Sequence, residues 1–182
     1  WLSDPQALDG ELLDMVLPMA AWDGDAVLWT RLLDTLKANP DPVARVAIIG
    51  ALASFEDPQL ATRAFDLLLD GTLRAQDLRT VGGGITVRTR PAAWAWLTSH
   101  YDALVAVVGD TARPRLPWMG GGFCTTQERA QVATFFGAPE HAPEGTERNL
   151  GLVLEGIDRC IRLRASLHDP LATWLTNHAK GG

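Results

Sequence analysis

Hydrophobic residues recur at intervals of three and four along almost the whole chain, the spacing that places them on one face of an α-helix. The clearest stripe ends at Gly109 and comprises Trp94, Leu97, Tyr101, Leu104, Val105 and Val108. Alternation with a period of two is nearly absent, and the apolar patch at residues 85–87 is too isolated to build a sheet. We therefore predict an all-α protein.

Asp-Pro pairs mark four predicted helix starts. An aspartate carboxylate accepts hydrogen bonds from the free N–H groups of a first turn, and proline at the first helical position needs no donor. The pairs are Asp4-Pro5, Asp41-Pro42, Asp57-Pro58 and Asp169-Pro170. A fifth start is predicted by the capping box that Thr125 forms with Glu128.

Helix-breaking residues separate the predicted helices. Asn39-Pro40 ends one and Gly71 ends another. A long helix follows the loop that reaches Thr146 and ends near Leu167, before a short last one around Trp174. Helices of about 12 to 20 residues with short turns are typical of antiparallel pairs stacked in sequence. The predicted architecture is a superhelical HEAT/armadillo-like α-solenoid that forms a single helical domain over residues 1–182.

The composition agrees with one folded domain. The chain has 182 residues, of which 47% are hydrophobic and 21% charged. A chain of this length buries roughly 70% of its unfolded surface. The composition therefore excludes a disordered polypeptide.

The charge and the hydropathy of the chain argue against nucleic acid as a partner and against a membrane span. Its formal net charge is −6, whereas binding to nucleic acid needs clustered Lys and Arg. No apolar stretch is long enough to predict a membrane span. Because the chain opens at Trp1, we expect a processed protein or an excised piece of a longer one, and the sequence assigns no compartment beyond a soluble protein of the cytoplasm or cell envelope.

The sequence predicts no catalytic centre and no metal site in this chain. None of the histidines belongs to an H-E-x-x-H pair, which would place two imidazoles on one helix face for zinc. They are His100, His141, His168 and His178. Ser99 and His100 should not form a pair, because neighbours on a helix point about 100° apart. Cys124 and Cys160 lack metal-ligand spacing, and we expect buried thiols rather than a disulfide framework.

Three further features have a structural and a functional interpretation. The glycine triplets 82–84 and 120–122 lack phosphate-loop spacing and are predicted to bend or end helices. Trp94 and Trp96 cannot share one helix face, so either one lies in the core and the other at an interface or groove, or both are partly buried. Four polar residues near helix starts could meet a peptide carboxylate in a groove, although solvation alone also explains them: Arg74, Gln76, Arg88 and Arg90.

Four segments, taken in order, resemble aminopeptidase N and its puromycin-sensitive relatives. They are DPQLATRAFDLLLDGTLRAQD (57–77), RPAAWAWLTSHYDAL (90–104), FCTTQERAQVATFF (123–136) and GTERNLGLVLEGIDRCIRLRASLHDPLATWL (145–175). Each motif is weak alone, but the ordered set covers most of residues 41–175. Thr86 and Thr89 replace the asparagine and glycine that this family often has before the second segment.

The resemblance implies a C-terminal superhelix that follows a catalytic zinc domain and closes over its active site. The family keeps its zinc ligands and its substrate-amine glutamates in preceding domains, so no catalytic or metal residue is expected here, and the residues that line the channel are unassigned. The partners it implies are the upstream catalytic domain and peptide substrates. The alternatives are a free-standing helical-repeat scaffold that binds a protein in its groove and a small helical enzyme.

Overall fold

The computed structural model describes residues 1–4, 7–38 and 40–178. Its α-helices are α1 (Leu13–Trp22), α2 (Ala26–Lys37), α3 (Pro42–Ala53), α4 (Pro58–Leu69), α5 (Leu78–Gly83), α6 (Arg90–Ser99), α7 (Tyr101–Val108), α8 (Thr126–Gly137) and α9 (Thr146–His178). Short 3-10 segments lie at Gly10–Leu12, Ala75–Asp77, Arg113–Gly120 and Pro139–His141.

The all-α prediction is confirmed, since no strand occurs in the described ranges. None of the helices described is both long enough and apolar enough to cross a bilayer. The stacking of the helices as a solenoid stays a prediction. The chain divides into two compact units, Trp1–Gly109 and Asp110–Gly182, and the single domain over residues 1–182 also stays a prediction.

Helix α3 is the centre of the first unit, where it contacts α1, α2, α4 and α5. Its buried residues are Ala44, Ala47, Ile48, Ile49, Ala51, Leu52 and Ala53. These positions extend around the helix instead of forming one stripe, as expected of a helix that is enclosed by others. The small alanine side chains let the neighbouring helices approach closely.

A buried tryptophan fixes the C-terminal end of α3. The Trp29 indole Nε1 donates a hydrogen bond to the Leu52 carbonyl at 3.2 Å. That carbonyl lies in the last turn, where no helical N–H is available to it. The guanidinium carbon of Arg63 lies 3.9 Å from the centre of the same indole ring, as a cation–π pair. Helices α2, α3 and α4 are thus joined through one side chain.

The predicted helix starts at Asp41 and Asp57 are confirmed. Each carboxylate accepts from the N–H groups of the second and third residues of its helix, at 3.0 and 3.1 Å for Asp41 and at 2.8 and 3.4 Å for Asp57. Pro42 and Pro58 are the first residues of α3 and α4. Pro5 lies outside the described residues, so the start predicted at Asp4-Pro5 is not described.

The single helix predicted up to Gly109 is wrong, because it is interrupted at His100. The Ser99 hydroxyl contacts the Ala95 carbonyl at 2.8 Å, and the His100 Nδ1 contacts the Trp96 carbonyl at 2.9 Å. The His100 N–H still donates to the Trp96 carbonyl at 3.0 Å, but side chains that bond to carbonyls one turn back weaken and bend a helix. The chain therefore ends α6 at Ser99 and begins α7 at Tyr101.

The helix start predicted at Asp169-Pro170 is also wrong. Helix α9 continues through both residues and ends at His178. Proline lacks the N–H that would bond to the carbonyl four residues earlier, that of Ser166. Ser166 is exposed, so water can reach the region where this bond is missing. A proline at such a position weakens the helix without ending it.

Both tryptophans of α6 are buried, which excludes a groove position for either ring. The Trp96 Nε1 donates to an Asp66 carboxylate oxygen on α4 at 2.7 Å. The Trp96 ring also lies 5.1 Å from that of Phe65. Because this indole N–H has an acceptor, the ring can be buried without losing a hydrogen bond.

In the second unit, α9 packs against α8 and against the 3-10 segment Arg113–Gly120. The predicted cap at Thr125 is confirmed, since Thr125 Oγ1 accepts from the Glu128 N–H at 3.2 Å. The return bond of the predicted capping box is shifted by one residue, because Glu128 Oε2 accepts from the Cys124 N–H at 3.1 Å. Arg129 Nε pairs with Asp158 Oδ1 at 2.6 Å across the two helices. Asn149 adds a further polar contact, since it accepts from the Trp118 Nε1 at 3.0 Å.

Replacement of the Asp57 cap should weaken the first unit. We expect Asp57→Ala to lower the free energy of unfolding by about 0.5 to 2 kcal/mol, because two N–H groups of α4 lose their acceptor. Asp34→Ala is the matched control, since Asp34 is exposed near the end of α2, where removal of a negative charge should cost no stability. Urea unfolding measures both variants, and equal midpoints for the two would contradict the capping role.

Candidate functional site

The polar residues predicted near helix starts lie between α4 and α6. Arg74 and Gln76 are exposed at the 3-10 segment before α5, and Arg88 is exposed in the loop after α5. Arg90 is half-buried as the first residue of α6. Two sets of contacts hold this segment in place, one at Asp77 and one around Gly84.

Asp77 is the buried anchor of the segment. Its carboxylate oxygens accept from Arg45 Nη1 at 3.0 Å and Nη2 at 2.7 Å, and one of them accepts from the Arg74 N–H at 2.9 Å. The Asp77 side chain is 7% exposed and that of Arg45 20%. Such a bidentate pair fixes the direction of both side chains. The backbone that presents Arg74 is therefore tied to α3.

The environment of Asp77 affects its pKa in two opposite directions. Burial disfavours the charged form, whereas the hydrogen bonds from Arg45 and from the Arg74 amide, together with both positive charges, favour it. The favourable interactions prevail, so the pKa of Asp77 lies below its usual value. Its hydrogen bond to Asp77 likewise raises the pKa of Arg45.

The loop after α5 is held by a close backbone approach. A Cβ atom at Gly84 would lie 2.6 Å from the Ala53 Cβ and 2.8 Å from the Ala53 carbonyl carbon, so no other residue fits against the end of α3. The Thr86 N–H then donates to Thr89 Oγ1 at 3.0 Å, and the Thr89 N–H donates to Thr86 Oγ1 at 3.3 Å. The two threonines thus hold each other's backbone at the start of α6.

The four candidate residues do not form one cluster. In the described ranges, no hydrogen bond or ion pair joins any two of them. Arg88 instead pairs with Glu56, at 2.9 Å between Nη1 and Oε2, which offsets its charge. Arg74 and Gln76 remain exposed close to each other in sequence. A role of these residues toward peptides stays a prediction.

Ser99 and His100 are close, contrary to the prediction that helical neighbours point apart. Because the helix is interrupted at His100, the Ser99 Oγ lies 3.0 Å from the His100 Nδ1. The same Nδ1 also contacts the Trp96 carbonyl, which can only accept, so Nδ1 carries the proton. A protonated Nδ1 cannot take the Ser99 proton, and the pair is not arranged for nucleophilic catalysis.

The described residues do not fit a catalytic zinc ion. They contain no group of three or more His, Cys, Asp or Glu side chains placed to bind a metal. His141 bonds the Phe135 carbonyl at 2.9 Å, and His178 bonds the Trp174 carbonyl at 2.8 Å, each through Nδ1. A zinc site needs about three converging protein ligands and an open position for water.

The expectation of two buried thiols is wrong. Cys124 and Cys160 form a disulfide, are half-buried, and have Cα atoms 5.2 Å apart. Cys124 precedes α8 and Cys160 lies in α9, so the bond links the two packed helices at the capping box. Spacing alone does not predict a pairing across 36 residues. With its sulfur in a disulfide, Cys124 cannot act as a thiol nucleophile.

An open groove of about 550 Å³ lies beside the disulfide. It is lined by Cys124, Thr125, Thr126, Ile161, Arg164, Ala165 and His168. The groove combines the amino end of α8 with one face of α9.

The family-model comparison identifies the class of domain. Residues 1–159 match the model of the ERAP1-like C-terminal domain. The chain belongs to this family. The match confirms the resemblance to the C-terminal part of the aminopeptidases.

Curated relatives agree with the ERAP1-like C-terminal domain assignment. Aminopeptidase M1-C of Oryza sativa subsp. japonica is 24% identical over 132 residues, covering 69% of this chain and 14% of the relative. Alanine/arginine aminopeptidase of Saccharomyces cerevisiae is 25% identical over 143 residues, covering 74% and 16%. Probable aminopeptidase 2 of Sulfurisphaera tokodaii is 24% identical over 142 residues, covering 73% and 17%. The chain thus spans a small fraction of the length of these relatives.

Loss of the Asp77 charge should destabilise this ERAP1-like C-terminal domain strongly. We expect Asp77→Asn to cost about 3 kcal/mol, since Arg45 is left without its buried partner. Asp158→Asn is the comparison, because the ion pair of Asp158 with Arg129 is about one-third exposed and should cost much less. Urea unfolding at pH 7 measures both, and equal losses would contradict the anchoring role of Asp77.

The contribution of Asp77 should also depend on pH. Its pKa is lowered on folding, so the stabilisation is complete above the unfolded value of about 3.9 and is lost as the pH falls through the folded value. Unfolding experiments between pH 6 and pH 2, roughly spanning that value, should show a shallower decline for Asp77→Asn than for the parent chain. Parallel declines would show that Asp77 is not the responsible group.

Removal of the disulfide should destabilise the second unit. For a bond that closes a loop of 36 residues, the loss of loop-closure entropy predicts about 4 kcal/mol. Thermal unfolding of the oxidised chain should respond to reductant, whereas a Cys124→Ser/Cys160→Ser variant should not. Alkylation of both cysteines in unreduced, unfolded chain would contradict the bond.

Proposed function

We propose that this chain is the non-catalytic C-terminal domain of a zinc-dependent aminopeptidase and covers an active site held in the upstream part of the same polypeptide. The match of residues 1–159 to the ERAP1-like C-terminal domain carries the proposal. The names and lengths of the relatives support it, since each is called an aminopeptidase and is far longer than this chain.

The domain would act by exclusion and positioning. A cover over an active site limits access by water and by bulky substrates, and it holds the distal part of a bound peptide. The zinc expected in the upstream domain would activate the attacking water. Nothing in the described part of this chain is arranged to bind that metal, so no chemical step is assigned to its residues.

Arg74 and Gln76 are the residues that this proposal places toward the peptide. Both are exposed, and the bond from the Arg74 amide to the buried Asp77 holds their backbone in a fixed position. A guanidinium on a rigid support suits a peptide carboxylate. Arg88 is less suited, since Glu56 already offsets its charge.

The proposal predicts an inactive isolated chain. The purified chain should bind no stoichiometric zinc and hydrolyse no aminoacyl-nitroanilide, because the zinc ligands would lie upstream. The complete reading frame should encode H-E-x-x-H and a downstream glutamate, and its product should be active. One zinc per isolated chain, or activity that survives chromatography, would overturn the proposal and favour a small helical enzyme. A complete reading frame without the H-E-x-x-H motif would favour the helical-repeat scaffold.

The channel role is tested in the complete polypeptide. Deletion of residues 1–182 should change the preference for peptide length more than the turnover of a single aminoacyl substrate. Arg74→Ala should raise KM for long peptides and leave kcat on the aminoacyl substrate unchanged. Arg159→Ala is the control, since Arg159 pairs with Glu155 on the exposed surface of α9. An unchanged length preference after the deletion would exclude the channel role.

A further inference from the structure

Helix α1 is apolar on two opposite faces. Its inner face consists of Leu13, Leu17 and Ala21, which are buried in the first unit. Its outer face continues from the preceding turn and consists of Leu12, Met15, Met19 and Trp22, which are 43%, 54%, 61% and 55% exposed. The outer residues follow one another at intervals of three and four, so they form one stripe along the helix.

A helix at the surface of a globular protein has one apolar face and one polar face. Apolar residues on both faces are typical of a helix that lies between two layers. At the end of a helical stack the outermost helix normally has a polar outer face, which keeps the stack soluble. The outer face of α1 lacks this protection, and its exposed tryptophan and methionines are side chains that interfaces favour.

The chain segment that carries α1 is strongly acidic, although Arg31, just after it, donates a hydrogen bond to the Ser3 Oγ at 3.1 Å. Residues 1–30 contain six acidic residues and no Lys or Arg, so their formal charge is −6. This value equals the net charge of the whole chain. Residues 31–182 therefore have no net charge. The acidic residues around the helix are exposed: Asp9, Glu11, Asp14, Asp23 and Asp25. An apolar stripe with an acidic surround is complementary to an apolar stripe with basic flanks.

This charge pattern excludes a second copy as the favoured partner. Two identical faces in contact would bring two acidic surrounds together, and like charges across an interface oppose association. The relatives offer another partner, because this chain spans only 14% to 17% of their length. The remainder of such a polypeptide is linked covalently to α1 and so acts at a high effective concentration.

We propose that the outer face of α1 docks an amphipathic helix with Lys or Arg flanks, from the upstream portion of the same polypeptide. This inference rests on the proposed function, in that it requires the chain to be one domain of a longer protein. Met15 and Met19 lie at the centre of the stripe and Trp22 anchors its C-terminal end, while the acidic residues of this segment set the orientation of the docked helix.

The three methionines of the chain provide the first test. Met15 and Met19 lie on the outer face, and the half-buried Met119 lies in the second unit as an internal reference. Dilute peroxide should oxidise Met15 and Met19 at least tenfold more slowly in the complete polypeptide than in the isolated chain, whereas Met119 should react at similar rates in both. Peptide mass spectrometry measures each rate. Equal rates for Met15 and Met19 in the two proteins would overturn the inference.

A charge placed on the stripe provides the second test. Met19→Lys should leave the thermal midpoint of the isolated chain nearly unchanged, since the side chain is already exposed, but should restore rapid oxidation of Met15 in the complete polypeptide. Met19→Leu keeps the apolar contact and should preserve the protection. Val87→Lys is the matched control, since Val87 is 78% exposed and lies in the loop between α5 and α6. Continued protection of Met15 in Met19→Lys would overturn the assignment of this face.

The tests separate this inference from the channel role. Oxidation is measured without substrate, so protected methionines with an unchanged peptide-length preference would support the docking and exclude the channel role. Unprotected methionines with an altered peptide-length preference would support the channel role and exclude the docking of a helix on α1. Protection in the isolated chain that rises with protein concentration would identify a second copy as the occupant and overturn the proposed partner.

Discussion

The first unit depends on the enclosure of one helix. α3 can contact four neighbours because alanines occupy much of its surface, and small side chains allow close approach of neighbouring backbones. The chain after α5 approaches α3 most closely at Ala53, which leaves no room for a Cβ atom at position 84, so this residue is Gly84. Larger residues at either position would separate α5 from α3. The loop that follows α5 would then lose its support, together with Arg88 and the start of α6.

Because apolar residues pack against much of α3, its polar bonds to neighbouring segments are few. Two of these bonds lie near the two ends of the helix. Near the start, Arg45 reaches the buried carboxylate of Asp77, and near the end the Leu52 carbonyl receives the Trp29 indole N–H. A buried ion pair contributes little net free energy but penalises arrangements that separate its partners. The alanine contacts therefore supply the close packing, and these polar bonds select the register of the neighbouring segments.

The sequence predicted features that depend on neighbouring residues and missed those that depend on distant ones. The caps at Asp41, Asp57 and Thr125 follow from bonds within three residues, and all are confirmed. The interruption at His100 was missed because it accompanies side-chain bonds of Ser99 and His100 to carbonyls one turn back, within an otherwise regular apolar stripe. Such an interruption has no signature in periodicity, although adjacent serine and histidine side chains are able to bond carbonyls one turn back.

The candidate site shows the same division. Arg74, Gln76, Arg88 and Arg90 were selected as polar residues near helix starts, which a local pattern can identify. Their anchor was not selected, because the ion pair of Asp77 depends on Arg45, 32 positions away along the chain, and only its bond to the Arg74 amide is local. The disulfide was missed for the same reason, since a separation of 36 residues has no characteristic spacing.

The two faces of α1 connect the architecture of the first unit to the proposed partner. The inner face of α1 packs on α3, which is apolar over most of its surface and contacts four helices, although Val43 and Val46 are exposed near its start. α1 has the same kind of sequence, with Asp14 as its sole charged residue, but only one of its faces is covered. The net charge of the chain conceals this asymmetry, because a value of −6 describes a mildly acidic protein whereas all of the excess lies within residues 1–30. A helix with a core-like composition at an acidic surface is therefore best explained by a further, positively charged helical layer.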